Sequence, residues 1–107
     1  MKEDLLKIIE HFGVNNQQRK LQEEMFELQE AITINLLKQS VEYEIPLTEI
    51  VGTREHIAEE IADVMLLLEQ FKVYYGITSE EITNLFWSKV ARTLKRIESG
   101  YYERNNE

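Results

Sequence analysis

A chain of 107 residues that is 43% hydrophobic and 30% charged, with one proline and four glycines, has room for one modest core and the balance of a folded helical protein, which excludes a disordered one. Its net charge of -8 sets the surface field against phosphate backbones and anionic lipid, so neither polymeric nucleic acid nor a membrane is an expected partner. With no cysteine there is no disulfide framework, thiolate metal site or cysteine nucleophile, and a cytoplasmic setting is expected.

The first ten residues mix charges with apolar residues and lack the apolar core of a signal peptide. No stretch approaches the roughly 18 apolar residues of a membrane-spanning helix. Leu5, Ile8, Ile9 and Phe12 predict a first helix over 2–12 that stops at Gly13. Asn15, with Gln18 as a capping-box partner, predicts the start of a second helix, whose core stripe is Leu21, Met25, Leu28 and Ile32 and which runs to about Gln39 or beyond. Pro46 forbids its continuation, and Val41 to Gly52 reads as a connecting loop with room for a short strand-like stretch.

After Thr53, the residues Ile57, Ile61, Val64, Leu68 and Phe71 predict a third helix ending near Gly76. Thr78 and Glu81 form a capping box for a fourth, which carries Ile82, Phe86, Val90, Thr93 and Ile97, fades at Gly100 and leaves a polar tail, Tyr101 to Glu107. The expectation is a single all-α domain over residues 1–107, a four-helix bundle. Leu66 and Leu67 are expected to face away from the main seam, which suits burial by a second subunit.

The second and third helices echo one another. Leu21-Gln22-Glu23-Glu24-Met25-Phe26-Glu27-Leu28 and Ile57-Ala58-Glu59-Glu60-Ile61-Ala62-Asp63-Val64 both read apolar, any, Glu, Glu, apolar, any, acid, apolar. At about 100° per residue, Glu24 and Glu27 fall to one side of the core stripe, and Glu60 and Asp63 fall at the same offset on the other helix. Four carboxylates beside an apolar seam repel one another and lose hydration, and a cation offsets both effects. Oxygen ligands select Mg²⁺, Mn²⁺ or Ca²⁺ over zinc. The competing reading is a solvated acidic face.

The fourth helix answers with Lys89, Arg92 and Arg96 on one face, a candidate phosphate clamp, or else a complement to the helix's negative end. His11 and His56 have no Glu three residues ahead of them, so the Glu-x-x-His pairs of di-iron bundles are missing, and both read as surface or capping histidines. No glycine-rich phosphate loop, nucleophile elbow or zinc motif is present.

The run Glu23-Glu24-Met25-Phe26-Glu27 followed by Glu60-Ile61-Ala62-Asp63 resembles the EExxE and ExxD signature of MazG-like nucleotide pyrophosphohydrolases, in the all-α NTP pyrophosphatase superfamily. The resemblance spans Gly13 to about Arg96. It implies an Mg²⁺- or Mn²⁺-dependent enzyme that cleaves a nucleoside triphosphate to monophosphate and pyrophosphate, built as a homodimer or homotetramer. It makes Glu24, Glu27, Glu60 and Asp63 metal ligands, Glu23 the acid that orients or deprotonates the attacking water, and Lys89 and Arg92 phosphate contacts, with Arg96 one turn beyond. Gln18 resembles a glutamine at the nucleotide site of related proteins. Two departures stand out: Ala91 replaces a common asparagine, and the acidic motifs are separated by an enlarged loop. A non-catalytic nucleotide- or metal-binding module and a structural acidic bundle are the alternatives.

Overall fold

The computed structural model describes residues 1–39 and 50–105. Within these the chain is all-helical: α1 (Lys2–Phe12), α2 (Val14–Gln39), α3 (Arg54–Tyr74), α4 (Ser79–Glu98) and α5 (Tyr101–Asn105). Among the described residues no helix is long and apolar enough to cross a membrane. The helices fall into two compact units, Met1–Tyr75 and Gly76–Glu107.

In the first unit, α1, α2 and α3 pack on one another. The turn from α1 to α2 is a single residue, Gly13, at φ 89°, a conformation open to glycine because it lacks a Cβ. Its N–H caps Ile9 O at 2.9 Å while its own carbonyl already accepts from Gln17 N–H at 3.0 Å. The second helix therefore starts at Val14, ahead of the cap expected at Asn15, which lies inside the helix. The neighbouring Asn16 instead donates from Nδ2 back to Phe12 O at 2.8 Å.

The buried stripe of α2 is Gln17, Glu24 and Ala31, and that of α3 is Glu60, Val64, Leu67 and Gln70. This corrects the expected core direction. Met25 and Ile32 are 53% and 40% exposed, and Ile61 and Leu68 are 42% and 45% exposed, so each helix is turned to bring one acid, Glu24 or Glu60, into the seam rather than beside it. Ala31, with no exposed surface, leaves the space for close approach. Leu67 is buried inside the unit, contrary to the outward orientation expected of it, while Leu66 is exposed.

The turn before α3 is fastened to the far end of α2. Asn35 donates from Nδ2 to Gly52 O at 2.9 Å, and Lys38 donates to Val51 O. Thr53 then caps α3, accepting from His56 N–H at 3.1 Å. Most of the expected loop with its strand-like stretch lies outside the described residues.

The second unit opens with the expected capping box: Glu81 N–H donates to Thr78 Oγ1 at 3.1 Å and Thr78 N–H donates to Glu81 Oε2 at 2.8 Å. The polar tail expected after Gly100 begins instead with the short helix α5. Gly100 sits at φ 72° and separates α5 from α4.

Candidate metal centre

Facing turns of α2 and α3 bring Glu24, Glu60 and Asp63 together, with one carboxylate oxygen of each within 4.8 Å of the others. Around an octahedral Mg²⁺ only one pair among three ligand oxygens can stand opposite, about 4.2 Å apart, and the other pairs stand about 3.0 Å apart, so the three side chains must draw in to share one ion. Glu24 and Glu60 are buried, at 6% and 8% exposure, and Asp63 is exposed.

Each buried glutamate has one oxygen held and one left alone. Lys20 Nζ lies 3.0 Å from Glu24 Oε1, and His56 Nε2 lies 3.2 Å from Glu60 Oε1. Oε2 of both glutamates is buried without a hydrogen-bond partner. A buried, unpartnered carboxylate oxygen is costly in a folded protein, and two of them on neighbouring carboxylates of one cluster fit a hard divalent cation with oxygen ligands.

The electrostatics agree. Burial pushes the Glu60 carboxyl above its ordinary range, and the charges of Glu27, Glu24 and Asp63 push it further; His56 opposes them only when its ring is protonated. Glu27 is exposed and outside the set of three converging oxygens; its carboxyl is raised first by the charge of Glu24 and then by partial desolvation. On the basic side, Lys20 is held charged by its hydrogen bond and charge pairing with Glu24.

Beside this cluster a cleft of about 660 Å³ opens between the three helices, its walls including Phe12, Gln17, Lys20, Glu24, Asp63 and Leu66. Glu23 and Arg19 also line it. Gln17 donates from Nε2 to Gln70 Oε1 at 2.7 Å, a buried amide pair, and Gln70 passes the chain on to Leu66 O at 3.3 Å. Gln18, the glutamine singled out from the sequence, is exposed and is not among the cleft residues; its neighbour Gln17 is.

Lys89, Arg92 and Arg96 are carried by α4 in the second unit. Lys89 and Arg92 are exposed, and the Arg96 guanidinium lies over the Tyr101 ring at 4.7 Å from its centroid.

Sequence reasoning missed Lys20, His56 and the Gln17–Gln70 pair. The first two carried a readable signal. Each stands four residues ahead of the glutamate it holds, one helical turn, so the echo between the two helices extends to a basic residue on both. The amide pair carried none, because residues 53 positions apart meet only through the tertiary fold. No family model, curated protein or solved structure matches the chain.

Proposed function

We propose that the chain is a nucleoside triphosphate pyrophosphohydrolase of the MazG-like kind, dependent on Mg²⁺ or Mn²⁺ and acting on nucleotides of the cellular pool. The observation that carries this reading is that Glu24 and Glu60, each with one buried, unpartnered oxygen, cluster with Asp63 beside a cleft. The motif resemblance supports it independently.

Glu24, Glu60 and Asp63 would hold the ion, with Glu27 completing the acidic set. When bound there, a divalent ion supplies Lewis-acid polarisation of phosphoryl oxygens and offsets their charge. The remaining work falls to the chain. Glu23, on the cleft wall, receives the proton of a water whose oxygen bonds to the phosphorus that stays with the monophosphate, opposite its anhydride bond to pyrophosphate. That bond breaks with its electron pair leaving on pyrophosphate; on the motif resemblance alone, Lys89 and Arg92 are the proposed contacts to the phosphates, with Arg96 and Gln18 as further substrate contacts. The apolar side of the cleft, with Phe12 and Leu66, suits a nucleoside.

A four-helix bundle-like subunit assembled as a homodimer or homotetramer belongs to the same proposal. Met25, Phe26 and Leu36 on α2 and Met65 on α3 are each more than half exposed, at 53%, 65%, 60% and 55%, an apolar surface of the kind that subunit contacts cover.

Incubation of the protein with a panel of canonical and modified nucleoside triphosphates and Mg²⁺, with products separated by chromatography, tests the function. Paired appearance of monophosphate and pyrophosphate is expected. Mg²⁺ binding without turnover of any triphosphate would favour the non-catalytic module, and no Mg²⁺ binding the structural bundle.

A further inference from the structure

The two buried glutamates are held by different devices. At Glu24 the partner is a half-exposed ammonium, whereas at Glu60 it is an imidazole fixed at both ring nitrogens. His56 Nδ1 accepts from Gly52 N–H at 3.3 Å, so that nitrogen carries no proton, and the proton of the neutral ring sits on Nε2. Nε2–H then points at Glu60 Oε1, 3.2 Å away.

The acceptor role of Nδ1 is enforced from outside α3. Gly52 O accepts from Asn35 of α2, and Gly52 is buried at φ 82°, close enough to α2 that an added Cβ would stand 2.6 Å from Ile34 Cγ2. The ring is therefore oriented by the helix opposite the one that bears it, and that helix also supplies Glu24.

We propose that His56 is a positioning residue of the carboxylate centre: its Nε2–H holds Glu60 Oε1 and leaves Oε2 as the oxygen presented to a divalent cation. This rests on the metal-centre reading above. The physical advantage lies in the neutral donor. Imidazole N–H restrains the carboxylate in one rotamer without cancelling the charge that attracts the ion, and outer hydrogen bonds of this type orient metal-binding carboxylates.

Titration of the full chain with Mn²⁺ alone, by calorimetry, tests the proposal in the wild type, His56→Ala, His56→Gln and Glu60→Gln. Loss of the outer partner should weaken Mn²⁺ binding about 10–100-fold in His56→Ala. His56→Gln should recover most of the loss, since the glutamine amide carries a donor near the position of Nε2. In the metal-free wild type, two-bond ¹H–¹⁵N correlation spectra should show the Nε2–H tautomer. Mn²⁺ affinity in His56→Ala equal to wild type, equal weakness of the Ala and Gln variants, or an Nδ1–H tautomer would each overturn the positioning role. The spectrum and the Gln variant decide even if the Ala variant does not fold. Failure of the underlying reading looks different: the wild type would then show no Mn²⁺ binding that Glu60→Gln removes.

Discussion

At Glu60 the side chain is buried among like charges, with one oxygen bonded to His56 and the other bare, so the metal-free fold holds a carboxylate under strain. Glu60→Gln removes the charge and keeps the shape. The variant should melt at or above the wild type in EDTA while losing Mn²⁺ binding and metal-dependent hydrolysis. A melt well below wild type would make Glu60 a structural acid. The same strain sets a pH dependence. Glu60 and Glu27 bind protons more tightly folded than unfolded, so they contribute stability below the ordinary value of 4.5 that is lost as pH rises through their raised values. Without metal, melting temperature should therefore fall across the window just above 4.5, and Glu60→Gln should flatten that fall. An equally steep profile in the variant would remove Glu60 as its source.

At the scale of elements, most helix limits follow from caps that the sequence spells out. Gly13 and the Thr78–Glu81 box stand where composition and spacing predict, and α3 starts after Thr53 as expected, with Thr53 itself as the cap. The failures have physical causes. The Asn15 cap is pre-empted because Gly13 both ends α1 and starts α2, and the core stripes rotate because a helical wheel scores hydrophobicity alone. Glu24 and Glu60 were ranked to the side for that reason, although the packed helices bury them. Gly52 links these elements, since its backbone meets Asn35 on one side and His56 on the other. Gly52→Ala requires a Cβ 2.6 Å from Ile34 Cγ2 and a side chain at positive φ, and should destabilise the protein by about 1–3 kcal/mol in denaturant melts. An unchanged midpoint would show that the turn is not fastened to α2.

For the whole molecule, the proposal requires the basic face of α4 to serve the triphosphate. Lys89→Ala and Arg92→Ala should each lower kcat/KM by about 10²–10³, the range for loss of one electrostatic donor, with little change in metal affinity without nucleotide. Lys95→Ala, on the opposite side of α4, is the control. Equal, near-wild-type hydrolysis in all three variants would remove the phosphate clamp. Assembly has its own test: Met65→Glu places a charge on the exposed apolar surface of α3 and should dissociate an oligomer in light scattering, and a monomeric wild type would end the idea.

The all-helical class, the order of α1 to α4 and most of their caps were determined by the sequence alone, because each depends on residues within a turn or two of one another. Which face of each helix is buried, and therefore that Glu24 and Glu60 lie in the seam with one bare oxygen apiece, was decided only by tertiary packing. The same holds for the Gln17–Gln70 pair and for the ring of His56, fixed by a turn that α2 holds in place. Local periodicity reports the average polarity of a face; only the opposing helix determines which polar atoms lose their water and what is left to replace it.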